Sequence, residues 1–250
     1  MNWAAVYKQL MVRGALLVVA ILGYRFLHGA GLYDLTARDA EGLNTLILLV
    51  GNIYAVMFAF VVFVIWGQFT DVENFVMREC NSLNDLLRFS RYLDTDAGRA
   101  IHRTTREYAQ SVLNSEWQAL GAREKDESTE KQFRAIVSAV IKTVPASPTE
   151  EKMRERLIEI AREAGQRRDE RITKSLTRIP PTLVRFVNTM AAALLLLVYV
   201  YPFHDERTGA ACFILIAVVL GLANIVMTDT DNPFNGVCNV SSRPFSDLIN

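Results

Sequence analysis

The chain has 250 residues, 51% hydrophobic and 22% charged, with 27 basic against 27 acidic side chains and no net charge. These averages suit a globular domain and lack the positive excess of a nucleic-acid binder. The apolar residues, however, are gathered into blocks at 14–27, 43–66, 183–203 and 209–227. The last three reach the roughly 20 residues that cross about 30 Å of hydrocarbon, which excludes a purely water-soluble fold.

The first block is the shortest. Lys8 and Arg13 ahead of it and the small residues of "HGAG" also fit a signal peptide. It reaches spanning length when Met11 and Val12 are included and Arg25 snorkels outward, and it is read as a retained first span over about 11–28. Gly29, Gly31 and Asp34 then form an outer turn, and the second span covers about 43–66.

That span reads "LNTLILLVGNIYAVMFAFVVFVIWGQF". Gly51, Ala55 and Ala59 recur at four-residue steps and allow close approach of another helix. Phe58, Val62, Ile65 and Phe69 align on a different face. This face is either a lipid or core surface, or, when several copies surround an axis, a hydrophobic constriction that gates ions by dewetting. Asn44, Asn52 and Gln68 add amides that need an interhelical bond or a hydrated cavity.

The helical stripe continues beyond the span through Phe69, Val72, Val76, Leu83, Leu86 and Leu87, which predicts one long helix leaving the bilayer. A second helix over about 97–120 carries Ile101, Tyr108, Val112 and Leu120, and "GAREKDESTEK" is read as a loop. Phe133, Ile136, Val137, Val140 and Ile141 mark a third amphipathic helix. A fourth opens at a capping box of Ser147 and Glu150 with Pro148 at its first position, and Pro180-Pro181 closes it. Its buried face carries Met153, Leu157, Ile160, Ala161 and Ala164.

The region 67–182 holds 20 basic and 19 acidic residues. The near cancellation argues against nucleic acid as a partner, and the charges are expected on solvated faces and in pairs between subunits. The third and fourth spans follow at about 183–203 and 209–227, with Arg185 and Asn188 just inside the edge of the third. Arg185 reads as a snorkelling residue or as a cation facing an anion vestibule. The outer connections hold only Arg38 and Arg207, so the positive-inside rule places both termini and the middle region in the cytoplasm.

The tail, 229–250, carries turn signals at Asn232-Pro233 and Asn235-Gly236 and is expected to double back as a clasp beneath the membrane. Asp229 and Asp231 lie at the negative end of the preceding helix and need compensation. An Arg or Lys of the middle region, backbone amides or Ca²⁺ would serve, and two Asp with Asn side chains supply part of the roughly 6 to 8 oxygens calcium takes. Structural anchor and ion site both stay open.

No Walker-type, GxSxG, HExxH or GxGxxG motif occurs, and His28, His102 and His204 are isolated, so no catalytic residues are assigned and an enzyme is not expected. Cys80, Cys212 and Cys238 have no CxxC spacing and indicate neither a disulfide framework nor a metal.

Three stretches together, "GNIYAVMFAFVVFVIWGQFTDVENFVMRECNSLNDLLR", "REYAQSVLNSEW" and "TDTDNPFNGVCNVSSRPF", resemble the bacterial bestrophin-like family of membrane proteins. The resemblance implies a relation to bestrophins, pentameric anion channels with four spans per subunit, cytoplasmic termini and a helical cytoplasmic part. Their pore is lined by the second span with a hydrophobic neck, which by analogy makes Asn52, Phe58, Val62, Ile65 and Phe69 the pore-lining candidates. Bestrophins also carry an Asn-Pro-Phe-Gly-like turn leading into an acidic Ca²⁺ clasp. Asn232, Pro233, Phe234 and Gly236 echo the turn with Asn235 inserted, but the acidic run is missing, which argues against Ca²⁺ as a cofactor.

The expected protein is therefore an all-α integral membrane protein of the bacterial inner membrane. It has four transmembrane helices per subunit in two hairpins (1–66 and 183–228), a helical cytoplasmic domain (67–182) and a clasp of Asp229, Asp231, Asn232, Pro233, Phe234 and Gly236. Its partners are the lipid bilayer, further copies of itself in a homo-oligomer with a pentamer favoured, and a permeant ion, more anion than cation. The alternative is a non-conducting scaffold or sensor whose cytoplasmic helices bind a partner.

Overall fold

The computed structural model describes residue 23 and residues 37–93, 96–235 and 239–249. The predicted first span apart from Gly23, its outer turn, Gly236 and Cys238 lie outside the described residues. Every regular element among the described residues is helical, with no strand among them.

Helix α1 (Ala40–Ser90) is continuous over 51 residues, because the apolar run of the second span passes into the amphipathic stripe without a Gly-Pro break. A tight turn follows at Leu93, and α2 (Asp96–Ser111) begins close against it. A Cβ at Gly98 would lie 2.3 Å from the Leu93 carbonyl oxygen and 2.5 Å from that of Ser90, so the turn requires glycine there. The second predicted helix is not uniform. It passes through a π-turn at Val112–Glu116 and ends in α3 (Trp117–Gly121).

The segment read as a loop is partly helical. Asp126 caps α4 (Glu127–Ile141) by accepting from the Ser128 and Thr129 amides at 3.4 and 3.0 Å, so the loop shrinks to a few residues. In α5 (Pro148–Leu176), Ser147 Oγ accepts from the Glu150 amide at 3.2 Å and the Glu150 carboxylate reaches back to the Ala146 amide at 2.6 Å. Pro181 opens α6 (Pro181–Val200), and α7 (Glu206–Thr230) runs past the predicted end of the fourth span. A short helix, α8 (Arg243–Ile249), closes the tail, where sequence indicated only turns.

Helices α1, α6 and α7 include stretches long and apolar enough to cross a membrane. The chain divides into two compact units, one of residues 1–65 and 179–228, the other of 66–178 and 229–250. In the first, Tyr54, Val61, Ile65, Val187, Leu220 and Met227 form the apolar core. A Cβ at Gly23 would meet the Tyr199 hydroxyl at 2.6 Å, so the chain at that point lies directly against α6. The second unit has a larger core built from Val72, Leu83, Leu86, Ile101, Leu120, Ile136, Leu157, Ile160 and Phe245.

Candidate functional site

In the first unit the aligned stripe of α1 is divided. Ile65 is 2% exposed inside the unit's own core, and Phe58 packs against that core and stacks on Tyr54 at 5.7 Å. Val62 is half-buried and Asn52 is exposed, whereas Phe69 belongs to the second unit and is half-buried against that unit's own core. Ile65 and, in part, Phe58 therefore pack within the unit's own core. The open face of α1 carries Leu49, Ile53, Val56, Phe60 and Phe63, the last 76% exposed. Phe63 and Ile65 differ by two residues and so by about 160° around the helix.

Of the small-residue row, Gly51 approaches Leu194 of α6, whereas Ala55 and Ala59 are exposed. Asn188 is not isolated: its Oδ1 accepts from Asn224 Nδ2 of α7 at 2.6 Å, an interhelical amide bond of the kind that satisfies polar groups in a span. Arg185 is exposed and its Nε donates to the Pro181 carbonyl at 3.3 Å.

In the second unit, charges expected on solvated faces form a buried ionic centre. Arg171 of α5 is 0% exposed and donates through Nε to Glu79 Oε2 at 2.6 Å and through Nη2 to Glu116 Oε1 at 2.5 Å. Arg168, one turn earlier, reaches Glu116 Oε2 at 2.6 Å and Glu130 Oε2 at 2.5 Å. Tyr108 donates its hydroxyl to Glu79 Oε1 at 2.5 Å. Arg134 joins Glu130 from the rim at 3.0 Å, so three carboxylates face three guanidinium groups. Burial opposes the charge on Arg171, but Glu79 and Glu116 outweigh it and raise its pKa well above the ordinary arginine value. Burial, with Glu79 adding to it, also raises the Tyr108 phenol, so that group stays a neutral donor.

The signal for this centre was present in the sequence. Glu79 falls between Val76 and Leu83 on the apolar stripe of α1, and Arg168 and Arg171 continue the buried row of Leu157, Ile160 and Ala164. Charges on an apolar face are either errors of phase or buried partners, and which one applies depends on helices far apart in sequence.

The π-turn has a geometric reason. Tyr108, Val112, Glu116 and Leu120 are all fully buried at four-residue spacing. At about 100° per residue each four-residue step overshoots one face by about 40°, so three steps would carry Leu120 well off it. Widening one turn restores the phase. Glu116 then faces the arginines, and the next residue, Trp117, faces the tail.

The tail is held by specific bonds. Asn232 Nδ2 donates to the Gly121 carbonyl at 3.0 Å, and its Oδ1 accepts from the Phe234 amide at 3.3 Å and from Arg178 Nη2 at 3.4 Å. Asp231 lies 3.9 Å from Arg178 Nε. Pro233 accepts from the Val240 amide at 2.8 Å, which folds the segment back on itself. Phe234 and Phe245 both pack edge-on against Trp117, with ring centroids 4.7 and 6.0 Å away. Asp229 lies in the last turn of α7, and its carbonyl accepts from the Asn232 amide at 3.4 Å.

Two of the clasp's candidate calcium ligands are engaged by protein partners. Asn232 has spent its amide on protein partners and Asp231 faces a guanidinium. Among the described residues no group of three or more His, Cys, Asp or Glu side chains stands where it would hold a metal.

The Bestrophin-like domain family matches residues 16–245 of the chain. No curated protein matches it. Among solved structures, a leucine-to-threonine variant of a bacterial bestrophin homologue from Klebsiella pneumoniae is 13% identical. It superposes with a TM-score of 0.71 over 98% of this chain and 96% of that one. A tryptophan-to-alanine variant of the Klebsiella pneumoniae homologue gives 0.73 at 13% identity, covering 98% of both chains. A structure of the homologue phased with zinc gives 0.65 at 11%, again over 98% of both. At such identity the likeness concerns the fold, a bestrophin fold over nearly the whole length. With the family match spanning the same residues, the chain is a membrane protein that belongs to the Bestrophin-like family.

Proposed function

We propose that the protein is a homo-oligomeric ion channel, more selective for anions than for cations, with α1 around the ion path. The observation that carries this reading is the family match over residues 16–245. The open apolar face of α1 supports it further. Val56, Phe60 and Phe63 are large, exposed and spaced about one turn apart, with Asn52 one turn before Val56. Several copies around an axis would turn that face into a narrow dewetting constriction with an amide near its mouth. Val62 lies on the shoulder of the face, and Phe58 and Ile65 support it from behind. A pentamer, anion preference, inner-membrane location and cytoplasmic termini belong to the same proposal, on the family resemblance and the distribution of Lys and Arg.

The test is planar-bilayer recording of purified protein under asymmetric chloride, with the particle mass in detergent measured first. Phe60→Ala and Phe63→Ala should raise the conductance, and the reversal potential should move toward the chloride equilibrium value. A monomeric particle, or no current from any variant under voltage, pH or Ca²⁺ steps, would replace the channel by a non-conducting scaffold. Conductance changed by Phe58→Ala and Val62→Ala but not by Phe60→Ala or Phe63→Ala would return the constriction to the first stripe.

A further inference from the structure

The second unit contains an arrangement that packing alone does not require, and it is independent of whether the chain conducts. Arg171 engages Glu79 of α1 and Glu116 of the π-turn through its guanidinium nitrogens, and the Cζ of the same group lies 5.5 Å over the ring of Phe245 in the tail helix α8. Phe245 is 0% exposed. Trp117, adjacent in sequence to Glu116, holds Phe234 and Phe245 together. Helix α8 has seven residues, far below the length that is stable alone, so its order comes from this docking. The tail also borders Cys80, which is 6% exposed in the same core as Phe245 and Leu248. Burial raises the Cys80 thiol pKa, Glu79 adds to the rise, and Asp247 of α8 lies near enough to contribute to it.

We infer that the buried ionic centre is a latch for the C-terminal helix: the π-turn at Val112–Glu116 and the docking of residues 240–249 stabilise each other through Arg171 and Trp117. With Glu116 turned inward, Arg171 is fixed over the Phe245 ring, and Trp117 completes the seat. With the tail docked, the guanidinium is covered and its pairs with Glu79 and Glu116 are shielded from water, where they are strongest. Such coupling is reciprocal by thermodynamic necessity: whatever loosens the π-turn loosens the tail, and the reverse holds by the same factor.

The test uses the full chain in detergent, with Cys212 and Cys238 replaced by Ala so that thiol labelling reports Cys80. Labelling is read together with hydrogen exchange of residues 112–116 and 240–249. Glu116→Gln keeps shape but removes the charge of one of the two carboxylates that each arginine engages, and it should speed both Cys80 labelling and tail exchange at least about tenfold. Glu130→Gln, at the rim of the same network and without contact to the tail, should leave both unchanged. In the opposite direction, Phe245→Ala should speed exchange of residues 112–116 by a similar factor. Where Glu116→Gln fails to fold, Arg171→Lys replaces it, retaining the charge without the planar fork over Phe245. Folded Glu116→Gln or Arg171→Lys protein with unaltered labelling and tail exchange would overturn the inference. So would a Phe245→Ala protein that frees the tail while the π-turn exchanges as before, since docking would then be ordinary packing.

Discussion

Replacing Arg171 by Met should be among the most damaging single changes in the second unit. The side chain is fully buried and holds two carboxylates, Glu79 and Glu116, that are themselves 0% and 1% exposed. Met fills the volume but leaves Glu79 with Tyr108 as its remaining side-chain donor, while Glu116 retains Arg168. Removing one partner of a buried pair costs about 3–5 kcal/mol, because the other charge stays in a low dielectric uncompensated. At roughly 3 °C per kcal/mol for a unit of this size, melting should fall by about 10–15 °C.

Adding Glu79→Leu to Arg171→Met removes the stranded charge and should restore at least half of the loss, as apolar replacements of buried pairs generally do. An exposed pair provides the control. Arg99 and Asp96 lie 2.5 Å apart at 72% and 97% exposure, and Arg99→Ala should shift melting within error. The assay is calorimetric or fluorescence melting of purified protein in detergent, analysed as a double-mutant cycle. A loss below about 1 kcal/mol for Arg171→Met, or no recovery in the double variant, would refute the reasoning.

Two further outcomes follow from single residues. Gly98→Ala places a Cβ against the backbone carbonyls of Leu93 and Ser90, neither of which can rotate away; it should cost about 1–3 kcal/mol, and an unchanged melting temperature would show that the turn relaxes freely. Burial works against the Glu130 carboxylate, but its bond from Arg134 and the charge of Arg168 prevail and hold its pKa below the ordinary 4.5. Its stabilisation is therefore present above that value and is lost as pH falls through the folded-state pKa. Melting followed from about pH 5 to pH 3 should be less steep in Glu130→Gln than in wild type, and parallel curves would contradict the assignment.

The extent to which the fold and sites were legible follows from how local each signal was. Three spans, the continuous course of α1, the Ser147 capping box and the Pro180-Pro181 break are readable because each rests on residues within a few turns of one another. The start of α4 was missed although Asp126 is a good cap, since the charged run around it outweighed a single residue. Helix α8 was missed because seven residues have no helical signal of their own and take their conformation from Trp117 and Arg171.

Composition and periodicity by themselves determined that this chain is a helical membrane protein, and three stretches of sequence pointed to its family. Tertiary structure alone decided which face of α1 is open, for Phe58, Val62, Ile65 and Phe69 are equivalent on a helical wheel until α6 and α7 cover part of it. It alone decided that Glu79, Glu116, Arg168 and Arg171 are internal, because their partners lie 52 to 92 residues apart. Periodicity reports which face of a helix is apolar, whereas a charge on that face acquires its meaning only from the distant helix that neutralises it.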